Sequence, residues 1–294
     1  DFPNPQSPIP NPHLYFHNLQ LKNWNLIIII IINWINIYLY LKMNPVIESL
    51  FKHRSIRKYK NQPLEDEKLK LIIKAAQAAP TWCNGEQVSI IVVKEQSQKD
   101  KMKDLCWGQA YIGTWSVFLV FCADFYRCSL AFEKAGKSKE EFEKYVKNID
   151  TVFIGCHDVG ISLQNAVVAA ESMGLGTVDI GAIRYKSLEV TKELNLPKYV
   201  IPICGLCVGY PDDDPGIKPR LPMSAVCFEG KYDTEKAKSG IDEYDETLKN
   251  YLSKRESNAR DSNWSKSISG AYTSFTIDQD YDLLKQQGFI SIEK

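Results

Sequence analysis

Apolar residues recur along the chain in patterns that predict helices separated by short strands. One helix is predicted over residues 65–79, because apolar side chains recur at intervals of three and four residues until Pro80 ends it: Leu69, Ile72, Ile73 and Ala76. Short apolar runs rich in β-branched residues are typical of buried strands, and they occur at Val88–Lys94, Val117–Asp124 and Tyr199–Tyr210. Further helices are predicted over residues 46–53, 138–148, 158–173, 187–195, 240–256 and 278–287.

The predicted helix 158–173 is apolar almost all round. Only Asp158 and Glu171 are charged in it, and its second face carries Ala and Ser where an exposed helix would carry Lys and Glu. A helix with this pattern is buried, either in a core or at a subunit interface. Helices and strands mix without a regular βαβ alternation, so an α+β fold is expected.

The first 42 residues differ in composition from the remaining 252. They contain nine Ile and seven Asn but only three charged residues, and Leu26–Leu41 is an apolar run of 16 residues. A membrane-spanning helix needs ~20 apolar residues, and no basic start or small-residue cleavage site marks a secretory signal. We expect residues 1–42 to be a non-native or disordered leader, with Met43 as the true start. A genuine membrane anchor is the alternative.

Composition narrows the class of protein. The 294 residues carry 36 basic and 36 acidic side chains, and a formal net charge of zero argues against a nucleic-acid partner. Eight Cys are too few for a disulfide-stapled secreted scaffold, so a cytoplasmic protein with reduced thiols is expected.

Several short motifs do not support the function they first suggest. Gly174, Gly176 and Gly181 do not have the spacing of a dinucleotide-binding fingerprint. Cys204 and Cys207 form a lone C-x-x-C inside a predicted strand, which is typical of core thiols and not of zinc ligands. The acidic triplet 212–214 lies between two prolines and is expected to be a solvated turn. No Ser/His/Asp or Cys/His set with supporting context is present, so hydrolytic chemistry has little support.

Two basic stretches lie far apart in the sequence. The first is His53–Arg57, and the second is Lys218–Arg220, which lies in a proline-stiffened loop after a predicted strand. Each alone is typical of a solvated surface. Together they offer the guanidinium groups, hydroxyl and ammonium that bind a phosphate monoester. Gly181, between them in sequence, would let the backbone approach a flat ligand.

Five motifs occur in order from about Val46 onward: His53–Arg57, Ala79–Gln87, Trp107–Gln109 with Val120–Arg127, Gly174–Arg184 and Gly209–Pro222. This ordered set resembles the nitroreductase family of FMN enzymes, and within it the NADPH-preferring nitroreductase and flavin reductase group. The resemblance implies a three-layer α+β fold with a mainly antiparallel central sheet flanked by helices. It also implies a homodimer with FMN at its interface. Residues 43–294 would form this domain, with a C-terminal extension from about residue 225.

The resemblance also implies roles for individual residues. The FMN phosphate would contact His53, Arg54, Ser55, Lys218 and Arg220. Arg57 would lie by N1 and O2 of the flavin ring. The ring and ribityl chain would contact Thr81, Trp82, Cys83, Asn84, Gln109, Ile180, Gly181 and Ala182. The 2′-phosphate of NADPH would contact Arg255 and Arg260. Two departures from the family pattern weaken the expected contacts there: the Thr-Trp-Cys sequence at 81–83, and Asp179 in place of an aromatic residue.

The implied activity is hydride transfer from NADPH to N5 of FMN and on to a nitroaromatic, quinone or flavin acceptor, in a ping-pong cycle. NADH is a possible donor, and no metal is expected. The resemblance assigns the chemistry to the flavin and not to a protein nucleophile. Two alternatives remain: a flavin-binding carrier protein without turnover, and a membrane-tethered reductase if the leader is native.

Overall fold

The computed structural model describes residues 44–255, 258–274 and 279–291. The chain divides into a unit of residues 1–48 and a unit of residues 49–294, and the second unit carries the fold. The expectations for the leader 1–42, whether a non-native segment or a membrane anchor, fall outside the described residues.

The described residues form helices α1 to α10 and strands β1 to β4. The helices are Pro45–Phe51 (α1), Asp66–Gln77 (α2), Gln96–Leu105 (α3), Tyr126–Lys134 (α4), Lys139–Val146 (α5), Ile149–Ser172 (α6), Ser187–Glu193 (α7), Thr234–Ser253 (α8), Trp264–Ser274 (α9) and Asp280–Gln286 (α10). The strands are Val88–Val93 (β1), Val117–Asp124 (β2), Gly176–Ile180 (β3) and Val200–Gly209 (β4). Short 3₁₀ turns occur at Trp82–Asn84, Ala110–Gly113, Gly181–Arg184 and Met223–Ala225.

The four strands form one antiparallel sheet in the order β1-β2-β4-β3. The central strand β2 is buried along its whole length, as its unbroken apolar sequence predicts. β4 contains Pro202, which pairs with Cys122 where the register of β2 and β4 shifts. Proline lacks the N–H that a regular ladder needs, so it is tolerated at such an irregularity.

Side chains alternate between the two faces of β2 and build a core on each side of the sheet. Leu119, Phe121 and Ala123 belong to a core with α2 and α6. Phe118, Val120 and Cys122 belong to a second core with residues of α3 and α7. The expected α+β fold, with a mainly antiparallel sheet between helices, is confirmed.

Helix α6 is longer than the sequence predicts. It begins at Ile149 instead of residue 158, and the side chain of Asn148 caps it by accepting a hydrogen bond from Asp150 N at 3.1 Å. Its length and apolar composition would allow it to cross a membrane, but one face packs on α2 and the sheet. Ser162 and Asn165 donate to the carbonyls of Ala76 and Ala75, which end α2. This side of α6 is therefore buried in the core, which was one of the two environments expected for this helix, a core or a subunit interface.

Other differences from the sequence prediction have local reasons. The predicted helix 138–148 ends at Val146, because the next turn is the cap of α6. The predicted helix 240–256 begins earlier, at Thr234, because Asp233 accepts hydrogen bonds from two N–H groups of its first turn. Elements that the pattern did not predict are α3, α4, α9 and β3.

Gly205 in β4 tests how tightly the second core is packed. A Cβ on this residue would lie 2.5 Å from the ring of Phe118 and 3.1 Å from the Cβ of Ile180. We expect Gly205→Ala to lower the free energy of unfolding by about 1–3 kcal/mol, because overpacked cores must shift to accept new atoms. Urea denaturation measures this change.

Gly270 in α9 provides the matched control. No heavy atom lies within 4 Å of a Cβ placed there. Gly270→Ala should therefore raise the free energy of unfolding by roughly 0.5–1 kcal/mol, the usual gain in helix propensity. Equal effects of the two substitutions would contradict this account of the core.

Candidate active site

The segment 53–60 runs along the open edge of the sheet and brings the first basic stretch to the second. Ile56 N donates to Thr177 O of β3 at 2.8 Å. Farther along, Lys60 N donates to Tyr210 O, and Asp212 N donates to Lys58 O, each at 2.9 Å. The segment is therefore paired first with β3 and then with the chain that follows β4.

Two residues of the first stretch contact carboxylates. His53 Nδ1 lies 2.8 Å from Glu171 Oε1 at the end of α6, and the same oxygen accepts from Thr177 Oγ1 at 2.7 Å. Arg54 Nε lies 2.7 Å from Asp214 Oδ1. Asp212 and Asp214 are exposed, which agrees with the predicted solvated turn, and Asp214 forms a surface ion pair with Arg54.

Helix α8 holds the loop of the second basic stretch. Tyr244 donates its hydroxyl to Pro219 O at 2.8 Å, and Tyr251 donates to Pro215 O at 3.4 Å. Tyr244 is buried with Leu248 and Leu252 in a small apolar cluster. These contacts fix the backbone on both sides of Lys218.

Five positive side chains converge at this place, and we call them the cation cluster: Arg57, Lys218, Arg220, Arg255 and Arg260. Lys218 lies at the surface, yet partial burial and then the charges of the four arginines lower its pKa. Arg260 reaches the cluster because its N–H donates to Leu252 O at 3.2 Å, which turns the chain back onto the end of α8. The structure thus brings together Arg57 of the first basic stretch, Lys218 and Arg220 of the second, and the two arginines assigned to NADPH.

Arg57 connects the cation cluster to a neighbouring cleft. Burial raises the pKa of the Tyr111 hydroxyl, and the nearby guanidinium group of Arg57 opposes that rise, so the two groups lie close to each other. Tyr59, two residues after Arg57, is buried and donates to Ile56 O at 2.9 Å. Tyr111 lies two residues after Gln109, which faces the cleft.

The cleft has a volume of about 580 Å³, within the range of small-molecule sites. Its walls are formed by Trp107, Gln109, Gly181, Ala182, Arg184, Tyr185 and three residues of α9, Ile268, Ala271 and Tyr272. The side-chain oxygen of Gln109 is buried and has no hydrogen-bond partner among the described residues. Of the predicted ring contacts, Gln109, Gly181 and Ala182 therefore share one site, and Ile180 is buried at the end of β3 beside it.

The loop 81–84 lies elsewhere in the chain. Trp82 N donates to the fully buried carboxylate of Asp158 at 3.1 Å, and its ring stacks on Tyr145. Cys83 and Asn84 have φ values of 50° and 53°, in the left-handed region. In the described part of the chain, the hydrogen bonds and ring contacts of this loop involve no member of the cation cluster. A single copy of the chain does not gather all the predicted cofactor residues.

The thiols of the C-x-x-C pair are core groups, as their strand position predicts. Cys204 and Cys207 are buried in β4. Burial raises the pKa of Cys207 to about 12 and raises the pKa of Cys204 as well. Neither thiol is a nucleophile near neutral pH.

Several residues of the site have no sequence signal for their position. Trp107, Arg184 and Tyr185 line the cleft, and Tyr111 lies near Arg57. Trp107 lies in the motif 107–109 and Arg184 in the motif 174–184. A local sequence pattern, however, does not show which side chains face a common cleft. Tyr244 had no sequence signal for its contact with the loop of Lys218.

Comparison with known proteins identifies the family. The model of the nitroreductase family matches residues 50–210, and the model of the nitroreductase family C-terminal domain matches residues 218–291. The chain belongs to the nitroreductase family.

Individual relatives cover most of the chain. It is 42% identical over 253 residues to FMN reductase (NAD(P)H) of Bacillus subtilis, covering 86% of this chain and 100% of the relative. The solved structure of NfrA2 from B. megaterium has a TM-score of 0.81 and 41% identity, covering 85% of this chain and 100% of that one. The NADPH:FMN oxidoreductase from Vibrio harveyi, complexed with NAD+, has a TM-score of 0.70 and 31% identity, covering 83% of this chain and 98% of that one.

Repulsion within the cation cluster predicts a stability change. The pKa of Lys218 is lowered, so its charged form is less favourable in the folded state than in the unfolded chain. At pH 7, below both pKa values, Lys218→Gln should raise the free energy of unfolding of the FMN-free protein, by about 0.5 kcal/mol in 20 mM salt. Salt screens the repulsion, so the gain should shrink at 0.5 M.

Urea denaturation at the two salt concentrations measures both effects. Lys249→Gln serves as the control, because Lys249 is an exposed lysine of α8 and is not among the main causes of the lowered pKa of Lys218. A lower free energy of unfolding in Lys218→Gln at low salt would show that the charge of Lys218 stabilises the folded protein, which contradicts the expected repulsion.

Proposed function

We propose that this chain is an FMN-dependent NAD(P)H oxidoreductase that reduces small aromatic acceptors such as nitroaromatics, quinones or free flavin. The observation that supports it most strongly is the convergence of Arg57, Lys218 and Arg220 from distant segments next to a cleft of ligand size. The family, and relatives named as FMN reductases and nitroreductases, agree with this function.

The residues present fit FMN. Partial burial and the neighbouring arginines lower the pKa of Lys218, and an anion bound among these cations would offset both effects. A phosphate monoester supplies two charges and several acceptor oxygens. The unpartnered oxygen of Gln109 would accept a hydrogen bond from a ring N–H. His53, Arg54 and Ser55 would complete the phosphate site, and Ile180, Gly181 and Ala182 would lie along the ring.

When bound, FMN takes hydride from the nicotinamide and delivers electrons to the acceptor. The chain's part is to bind, orient and balance charge. Arg57 would provide the positive charge that stabilises the negative charge of the reduced ring. The guanidinium group lies near the Tyr111 hydroxyl, between the cation cluster and the cleft.

We propose further that the active protein is a homodimer. Thr81, Trp82, Cys83 and Asn84 belong to the proposed cofactor site, yet they lie away from the cation cluster of their own chain. An apolar surface lies on the solvent side of α6, where Ile149 and Phe153 are 51% and 65% exposed. A second copy packed on this surface would bury it and supply its own loop to the cofactor.

We expect a cytoplasmic enzyme. A membrane tether would depend on residues 26–41.

The proposed preference for NADPH rests on Arg255 and Arg260. Both lie close enough to Lys218 for their charges to lower its pKa, and guanidinium groups are well suited to bind a second phosphate. NADH lacks that phosphate and would bind through the remaining contacts only.

Reduction of the bound flavin tests the proposed function directly. Mixing the yellow holoprotein with NADPH without oxygen should bleach the flavin absorbance. A flavin carrier without turnover would keep its colour, and colourless protein unable to take up FMN would contradict the proposal as a whole.

Arg57→Ala should slow this bleaching about 10- to 100-fold, because a charge-assisted contact to the reduced ring is lost. Stopped-flow absorbance at saturating NADPH measures the rate, and Arg57→Lys should recover part of it. A wild-type rate in Arg57→Ala would show that Arg57 only forms salt bridges.

Arg255→Gln and Arg260→Gln should each lower kcat/KM for NADPH about tenfold while changing kcat/KM for NADH little, because only NADPH carries the 2′-phosphate. Lys254→Gln is the control, since Lys254 is the neighbouring basic residue at the end of α8 and is not among the main causes of the lowered pKa of Lys218. Equal kcat/KM for the two donors in the wild-type protein would contradict the preference.

A further inference from the structure

An aromatic pair forms one rim of the cleft. The rings of Trp107 and Tyr185 are stacked, with centroids 5.9 Å apart and planes inclined by 27°. Both residues line the cleft that also contains Gln109, Gly181 and Ala182. Trp107 follows α3 and Tyr185 follows the 3₁₀ turn 181–184, so the pair joins two separate elements.

The backbone that carries Trp107 is strained. Trp107 has φ of 65° and Gly108 has φ of 69°, so two consecutive residues are left-handed. A bulky residue rarely adopts this conformation, and it persists only where surrounding contacts enforce it. Gly108 N donates to Lys103 O at 2.9 Å, and the neighbouring Cys106 is fully buried. The turn directs Gln109 into the cleft and leaves 52% of Trp107 exposed at its rim.

Tyr185 is fixed to the floor of the cleft. Its N–H donates to the carbonyl of Ala182 at 3.0 Å, and Ile183, between them, is fully buried. The aromatic pair therefore has a set position relative to the backbone at Gly181 and Ala182, where the proposed function locates the cofactor ring. Helix α9 contributes the apolar side chains Ile268 and Ala271 to the same cleft.

We propose that Trp107 and Tyr185 are specificity-determining residues, which form an aromatic wall that favours fused-ring acceptors over single-ring acceptors. This inference rests on the proposed function and narrows its acceptor class. A second fused ring extends a flat ligand toward the rim, where it gains stacking contact with the pair. A single ring held at the cofactor leaves the wall unused. Stacking rewards flat aromatic area beyond the general hydrophobic gain, so equally apolar but non-planar groups gain less.

Three acceptors with the same reacting group test this preference: nitrobenzene, 1-nitronaphthalene and 4-tert-butylnitrobenzene. The last two add the same number of carbons, but only one adds a ring. In the wild-type protein we expect kcat/KM for 1-nitronaphthalene to exceed that for 4-tert-butylnitrobenzene. Trp107→Leu should reduce that ratio about three- to tenfold, the size of one aromatic contact.

Further variants separate the wall from a general packing effect. Trp107→Phe should keep most of the ratio, because it retains a ring, and Tyr185→Leu should reduce it as Trp107→Leu does. Trp115→Leu is the matched control, because Trp115 is 50% exposed but lines a different pocket, next to α3 and the start of β2. A ratio unchanged in Trp107→Leu, or reduced equally in Trp115→Leu, would overturn the inference.

A binding measurement without turnover completes the test. Equilibrium dialysis of the FMN-loaded protein against each nitro compound, without NADPH, should show a lower Kd for 1-nitronaphthalene that rises about three- to tenfold in Trp107→Leu. This result is independent of the proposed activity. If NADPH fails to bleach the wild-type flavin, the proposed function is wrong, whereas equal affinities in dialysis contradict the wall alone.

Discussion

The hydrogen bonding of segment 53–60 to the sheet edge determines where the positive charges of this protein lie. Ile56 pairs with Thr177 of β3, and Lys58 and Lys60 pair with the residues that follow β4. This pairing places Arg57 beside the loop of Lys218, although more than 150 residues separate them in sequence. The backbone contacts are formed whether or not an anion is bound, so the fold brings like charges together at a cost in electrostatic energy.

The electrostatic cost of the cation cluster is consistent with a role in binding an anion. The hydroxyls of Tyr244 and Tyr251 donate to carbonyls on both sides of Lys218, so the loop that carries Lys218 and Arg220 has little freedom to move away from Arg57. Side chains fixed before the ligand arrives lose less entropy when it binds. A phosphate group would replace the repulsion between the cations with charge-assisted hydrogen bonds. The close spacing of the cations, which is unfavourable without a ligand, therefore favours a multivalent anion.

The sequence predicts the parts of this structure whose signal is local. The apolar runs identify β1, β2 and β4 closely, and the helix before Pro80 is found because its periodicity is strong. Strand β3 is not predicted from the sequence, because Gly176 and Asp179 interrupt its apolar pattern and its burial comes from pairing with β4. Helix α3 is almost wholly polar, with Met102 as its buried apolar residue, so only tertiary contacts reveal its position. Charge runs likewise mark both halves of the cation cluster, whereas their proximity depends on pairing at the sheet edge.

Among the described residues, seven non-glycine residues have left-handed φ values, and four of them lie in the two turns that the proposed function assigns to ligands. Cys83, Asn84 and Glu86 are left-handed in one turn, and Trp107 is left-handed in the other. In the first turn, buried side chains hold both backbone groups of Trp82: Asp158 accepts from its N–H, and Gln87 donates to its carbonyl. Such turns keep their shape because the surrounding core determines it, which is how a rigid scaffold presents a loop to a ligand. A loop held this firmly cannot fold over to the cation cluster of its own chain, so its rigidity itself favours a site completed by a second copy.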